Sequence, residues 1–572
     1  MMIRIALICL LGSAILLASC EEPGEMADMV IHNAVILTMD KENPGATAVA
    51  ISGDKILEVG EDEDVMKLIG HQTKVIDAGG DFIMPGLIEG HGHYLGFGRS
   101  LQEMNLLEVE SWQELLEMVA TEAKSLEPGR WITGRGWHQD KWTDFEPEPG
   151  MPYPPHDALS AVSPENPVVL VHASGHGLIA NARAMELAGV ESGTPDPEGG
   201  TIRRDEAGEP IGVFEETAMG LIRDAYMEQS ADATDKEAGT EIREVALRAQ
   251  EEAFRYGITS FQDAGLNMGE IAVLKKMAEE GELDLRLWVM LLEPYEVMRE
   301  SVDQLPIKRV GPSGFTVAAL KAFNDGALGS YGALLLEPYS DRPSESGHLV
   351  TSGEELRNIA ALARDNGLQY CVHAIGDKAN RMMLDIYGEA FDNPEDLRGA
   401  RWRIEHAQHL HPDDIPKFGE LGIIAAMQTV HCTSDAPFVE TRLGKERAAE
   451  GAYRWRDLID SGALVSNGTD VPVENINPFE GLYAAVTRKS DRMDEPFYPG
   501  QVMTRLEALE SYTINNAIAA FEDDIKGSLS PGKLADLIIL DTNLLECDDS
   551  EIRSARVRKT VLGGEVVYRE EE

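Results

Sequence analysis

Two histidines, His91 and His93, close an apolar run that begins at Phe82 and continues through Pro85-Gly86-Leu87-Ile88-Glu89-Gly90. Side chains two apart on a strand share a face, so two imidazoles at this spacing can hold one metal ion. The pair alone is a weak signal. It gains weight because groups of suitable chemistry end later apolar runs. Lys321 closes 315–321, His373 closes 369–373, His406 closes 401–406, and Asp470 follows 463–469. Imidazole and carboxylate donors suit zinc or a similar divalent ion, one or two of them.

Residues as distant as 91 and 470 can meet only if a fold carries several strand ends to one place. Strand-like runs occupy 82–88, 258–262, 285–290, 315–322, 368–373, 402–406, 423–428 and 463–467. Helical stretches separate most of them, for example 237–256, 268–280 and 354–366. Strands alternating with helical crossovers in this number predict a (β/α)8 TIM barrel over 81–525, with its active site at the strands' C-terminal ends. The stretch 94–235 breaks the repeat. It is rich in Pro and Gly and carries its own strands at 167–172 and 201–204, so it reads as an insertion after the first barrel strand. Both ends of the mature chain are β-rich, at 29–39, 47–51 and 55–59 and again at 535–540 and 556–568. They predict one small β-sandwich domain built from 27–80 and 526–572.

The 572 residues carry 50 Lys+Arg against 100 Asp+Glu, a formal net charge of −50. A phosphate backbone would be repelled, which argues against a nucleic-acid partner. The charge fits a highly soluble protein in salty or extracellular medium. Hydrophobic residues at 43% and charged residues at 26% make a large globular core feasible. The five cysteines are scattered and too few for a disulfide framework. A basic start at Met1–Arg4, an apolar run to Ala18 and Leu17-Ala18-Ser19-Cys20 read as a signal peptide over 1–19 ending in a lipobox. Cys20 would be lipidated and 20–26 would be a tether. The expectation is an exported bacterial lipoprotein of the cell envelope, held to a membrane through its anchor only. A Cys20→Ala chain should then leave the membrane fraction while folding normally. The oligomeric state stays open, a homodimer included.

The motifs PGLIEGHGH (85–93), KAFNDGALGS (321–330), HAIGDKAN (373–380), RIEHAQ (403–408), GALVSNGTDVPVE (462–474) and GSLSPGKLADLIILD (527–541) resemble the amidohydrolase superfamily. More narrowly they are similar to its amidohydrolase-3, YtcJ-like branch, which includes N-substituted formamide deformylases. The inserted segment looks like this branch too, at 167–189 and 199–216, so the resemblance covers nearly the whole mature chain. It implies that His91 and His93 bind the more buried metal, that Lys321 is N6-carboxylated and bridges two metals, and that His373 and His406 hold the second. It implies that Asp470 touches the metal water and is the general base. The expected reaction is hydrolysis of a non-peptide, amide-type C–N bond in a small molecule, with water made nucleophilic by the ion. Two departures stand out. Glu89 occupies a position where the family often has Asp, and Gly468-Thr469-Asp470 stands where Gly-Ser-Asp is common.

Other residues are softer candidates for substrate contact. His176 lies in the insertion, Gln428 and His431 follow the seventh strand with Asp435 close behind, and Trp137 could wall the pocket. Ester or lactone hydrolysis, or an isomerisation, could use the same metal site, since fold does not settle reaction. A surface lipoprotein that binds a ligand without catalysis is the remaining alternative, and it would not need the full ligand set.

Overall fold

The computed structural model describes residues 26–106, 109–139, 142–145, 153–172, 177–197, 200–231 and 235–571. The signal segment, Cys20 and His176 lie outside the described residues.

Parallel strands follow one another around the centre in chain order. They are β1 Leu87–Gly92, β2 Ile258–Leu266, β3 Arg286–Leu291, β4 Phe315–Phe323, β5 Gln369–Ala374, β6 Arg403–His406, β7 Ile424–Met427 and β8 Val465–Asn467. Helices cover them outside and side chains fill them inside, which is why the strands read as nearly unbroken apolar runs. Two backbone bonds just past the strand ends return β8 to β1. The Asp470 amide donates to the His91 carbonyl at 2.7 Å, and the His93 amide donates to the Val471 carbonyl at 2.8 Å. Crossover helices start at residues suited to capping. Asn267 caps Met268–Glu280 with Glu270 answering in a capping box, and Ser352 caps Gly353–Asp365.

The run 82–88 is two strands, not one. Phe82–Pro85 belongs to the small domain, and the barrel strand begins only at Leu87. Pro85 has no amide hydrogen to continue a ladder. A Cβ on Gly86 would lie 2.3 Å from the Thr259 hydroxyl, so the chain can cross here only because Gly86 has no side chain. The run 29–39 also splits, into Ala27–His32 and Val35–Leu37, at Asn33 with its φ of 55°.

The small domain is a two-sheet sandwich. One sheet orders Lys55–Gly60, Ala48–Ser52, Ala27–His32 and Ile69–Asp77. The other orders Glu565–Arg569, Val557–Leu562, Leu537–Leu540, Phe82–Pro85, Val35–Leu37 and Gly45–Ala46. Between them Ile31, Val49 and Ile51 pack on Ile83, Leu537 and Val561. Arg286, at the start of β3, reaches into this domain. Its Nε and Nη2 donate to the two carboxylate oxygens of Asp536 at 2.7 and 2.8 Å, all buried.

The insertion has its own six-stranded sheet from Met104 to Glu216. Alternate residues of its strands feed separate clusters. Leu170 and Ile179 pack with Trp137 on one face, while Val169 and Leu178 pack with Phe214 on the other. The helix Tyr94–Ser100 belongs to the barrel wall, so the insertion proper is shorter than 94–235. The Tyr94 hydroxyl donates to the Ala246 carbonyl of the helix Asp235–Arg255 at 2.5 Å.

Candidate metal centre

Strand pleating and the β8–β1 seam bring the predicted residues together. His91 ends β1 on the inside and is buried. His93, the next side chain on that face, lies at the entry to the following helix and is partly exposed. Both Nε2 atoms reach one oxygen of Asp470, His91 at 3.7 Å and His93 at 3.2 Å from Oδ1. The other oxygen, Oδ2, stands 3.8 Å from His431 Nε2. Two triads of possible ligand atoms share this carboxylate: His91, His93 and Asp470, and His406, His431 and Asp470, each within 4.8 Å. The His406 ring lies 4.7 Å from that of His91 and 4.5 Å from that of His373. Asp470 and His406 both adopt left-handed backbone, φ 59° and 75°. Such strain in non-glycine residues persists where the surroundings impose it, often at functional sites.

The orientation of each ring is set by a second contact. The Glu405 carboxylate bonds His91 Nδ1 and is clamped by Arg403, whose Nε and Nη2 donate at 2.7 and 2.9 Å. Arg403 also donates to the Gly90 carbonyl at 2.8 Å and to Gln262. His91 is thereby left with Nε2 facing Asp470, in the manner of a ligating histidine held by an outer carboxylate. Gln428 does the same for His406, accepting from Nδ1 at 2.7 Å. Gln428 is thus taken up in holding a ring, which corrects its reading as a substrate contact. Gln408 Nε2 donates to His431 Nδ1 at 3.0 Å, leaving an Nε2–H turned to Asp470. Trp137 is also corrected. It is buried in the insertion's core, with its indole N–H on the Leu170 carbonyl at 2.8 Å and its ring stacked on Trp142.

The two family departures answer each other. Glu89 accepts the Thr469 amide at 2.7 Å, the Thr469 hydroxyl at 2.9 Å and the His91 amide at 3.1 Å. A Cβ on Gly468 would come within 2.3 Å of the same carboxylate, so glycine there makes room for the longer Glu. Burial pushes Glu89 up to about 8, against these hydrogen bonds.

Charge in the site is divided sharply. Burial, with the Lys321 cation nearby, lowers His91 to about 4 and His373 to about 3, and burial drives His406 well down. These imidazoles are neutral at physiological pH, as metal ligation requires. Burial opposes ionisation of Asp470, but the His93 hydrogen bond and the His91, His406 and His431 rings hold it far below its ordinary range. His93 rises despite burial because of that same bond. Lys321 is buried on β4, its Nζ 5.2 Å from the Phe323 ring centre, and burial lowers its pKa. Among the described residues no carboxylate forms an ion pair with it. Asp325 instead accepts the amides of Leu334, Ile375 and Gly376 at 2.8–3.0 Å.

His373 Nε2 and His431 Nε2 are buried without a hydrogen-bond partner. Unpartnered buried polar atoms are costly unless something engages them. The neutral imidazoles of His91, His373 and His406, gathered with the ionised Asp470 carboxylate, fit a divalent cation.

The chain is similar to known proteins over nearly its whole length. The chain is 36% identical over 95% of its length, and 92% of the relative's, to the protein LONG AFTER FAR-RED 3 of Arabidopsis thaliana. It is 26% identical to the N-substituted formamide deformylase of Arthrobacter pascens, over 95% of this chain and 99% of that one. Among solved structures, a metal-dependent hydrolase from Pyrococcus furiosus superposes with a TM-score of 0.74 at 28% identity, over 91% of this chain and all of that one. The model described as the amidohydrolase family matches residues 74–568, a span holding the whole barrel, the insertion and the C-terminal part of the small domain. The match spans the barrel whose strand ends gather these histidines and Asp470, and the chain belongs to the amidohydrolase family.

Proposed function

We propose that the protein is a zinc-dependent hydrolase of an amide-type C–N bond in a small molecule, with Asp470 as the proton-transfer group. One observation carries the reading: an ionised carboxylate meets neutral imidazoles from separate strands, with buried donor atoms left over. The likeness to a formamide deformylase supports the bond type. His91, His93, His373 and His406 are the ligands proposed for the ion. When bound, zinc supplies Lewis acidity at the carbonyl oxygen and acidifies a water. Lys321 is proposed as a bridging ligand after carboxylation, because an ammonium has no lone pair to offer. In that step the neutral amine adds CO2, forms an N–C bond and releases a proton.

As water attacks the carbonyl carbon and the C–O bond forms, Asp470 takes the water's proton. It returns the proton to the amide nitrogen as the C–N bond breaks, giving a carboxylic acid and an amine. His431 presents its Nε2–H beside Asp470, placed to steady the carbonyl oxygen. The barrel interior excludes bulk water, so each charge acts at close range.

The test compares wild type and Asp470→Asn, both zinc-loaded, on N-formyl amines, N-acyl amino acids and cyclic ureas. The variant keeps the shape of the side chain and loses the proton acceptor, so kcat should fall at least about 10²-fold in a folded protein that retains metal. Equal turnover per bound metal would remove Asp470 from the mechanism. A protein that never holds metal above trace would favour a ligand-binding role.

A further inference from the structure

A cavity of about 220 Å³ lies at the base of the barrel, where β3 and β4 begin and the small domain meets them. It is at the opposite end of the strands from Asp470. Four cations line it, Lys55, Arg286, Arg309 and Lys526, with Glu522 as the single acid on the wall. In a chain of net charge −50 that reverses the prevailing sign. Asp536 occupies Nε and Nη2 of Arg286, so Nη1 is spare and meets only the Ser313 carbonyl, at 3.5 Å. Lys526 is buried, its Nζ 2.5 Å from Glu522 and 2.9 Å from the Ser260 hydroxyl. At the rim, Arg309 meets Asp524 at 3.2 Å in an exposed pair of the kind that contributes little in water. Lys55 is exposed and has no ion pair among the described residues. Ser313 is a separate observation on the same wall. It is only 3% exposed, and its Oγ is buried without a hydrogen-bond partner. A buried hydroxyl left unpaired is costly until something engages it. The spare Arg286 amine, the Lys55 ammonium and this hydroxyl are all donors, and what satisfies donors together is an anion.

We propose that this cavity binds a small multivalent oxyanion of the phosphate class, held by Lys55, Arg286, Arg309 and the Ser313 hydroxyl. Lys55 belongs to the small domain and the other three to the barrel, so the anion braces one against the other. Guanidinium and ammonium groups form short, charge-assisted hydrogen bonds to phosphate oxygens. The volume is below the roughly 300–1,000 Å³ of sites for drug-sized molecules, which suits a compact ion. Repulsion from the distant surface acids is screened beyond about 8 Å at physiological salt, so the cations on the wall decide the local field. The site is independent of the hydrolase reading.

The test titrates inorganic phosphate into the metal-loaded protein by calorimetry at constant ionic strength. Wild type stands beside Lys55→Gln with Arg309→Gln, and beside Ser313→Ala. Both rim side chains are exposed, so the double variant should fold as wild type does. Ser313→Ala removes a hydroxyl that bonds nothing in the protein, so it should leave stability without phosphate intact. The expected result is phosphate bound by wild type, at least about tenfold more weakly by the double variant, a difference of about 1.4 kcal/mol, and several-fold more weakly by Ser313→Ala. Phosphate should also raise the Tm of wild type more than that of the double variant, because a ligand of the folded state stabilises it by mass action. An equal rise in both would be the general effect of a salt excluded from the surface and would count against the site. No binding by wild type at millimolar phosphate, or an affinity unchanged in either variant, as phosphate on the metal centre would give, would overturn the proposal.

Discussion

Glu405 bonds His91, 314 positions away, on one side and is held by the Arg403 clamp on the other. Burial opposes its charge, but Arg403 and His91 bring it down to about 2, so it is ionised throughout the working range. Glu405→Gln keeps the shape and can still bond the ring, but it removes the charge that makes His91 a strong donor. Metal affinity should drop about 10–100-fold, read by chelator competition on folded protein. Unchanged affinity would reduce Glu405 to a packing partner of Arg403. The histidines and Asp470 gathered at the strand ends were legible in the sequence because each closes or follows an apolar run, where a barrel strand opens to its C-terminal face. Glu405 was not, since a carboxylate in mid-strand carries no such mark. The one available signal was Arg403 and Glu405 together, two charges at i and i+2 in a strand that reads Arg-Ile-Glu-His. Trp137 and Gln428 misled because type and neighbourhood do not reveal which hydrogen bond will consume a polar tip.

Among the elements, the short helix Arg505–Ser511 shows how local chemistry holds a segment to the barrel. Thr504 and Glu507 form its capping box, and Glu507 also binds Arg456 through both oxygens at 2.8 Å. The Arg456 hydrogen bonds, with the Thr504 amide and hydroxyl helping against burial, lower Glu507 from 4.5 to about 2. A carboxyl depressed on folding stabilises the fold above its unfolded pKa, and that stability is lost as pH falls through the folded value. The advantage of wild type over Glu507→Gln should therefore be full near neutrality, about 1–3 kcal/mol, and fade between pH 4.5 and about 2. Thermal unfolding of both proteins across that window checks it, and a constant difference would refute the pairing. The element pattern was largely readable, since periodicity and capping residues act locally. Its errors fell where distant partners decide. Phe82–Pro85 leaves the barrel for a strand some four hundred and fifty residues later. Ile69–Asp77 was not read as a strand because its nine residues are mostly polar, and only pairing with Ala27–His32 makes it one.

Across the molecule, the barrel and sandwich are locked by Arg286 and Asp536. Asp536 also accepts the Gly563 amide at 2.9 Å, so it ties three segments together. Asp536→Ala would strand a buried guanidinium and should cost about 3–5 kcal/mol in denaturant unfolding. The double change Arg286→Met with Asp536→Leu should cost less than either single removal, because no charge is left unpaired. Additive losses would show that the two side chains act separately. The two-ended sandwich could be read from β-rich termini, but this lock could not, because 286 and 536 carry no common signature in the chain.

The sandwich has a consequence for the order of synthesis. Phe82–Pro85 takes its central place only when Leu537–Leu540 arrives to pair with it. At roughly 5–20 residues per second, a ribosome needs on the order of half a minute or more to make the intervening chain. Ile31, Ile36 and Ile83, buried in the finished domain, wait through that interval without their C-terminal partners. The β8–β1 seam is late for the same reason. The newborn chain is therefore exposed to sticking and misassembly longest at its first-made end, and protection during synthesis matters most there.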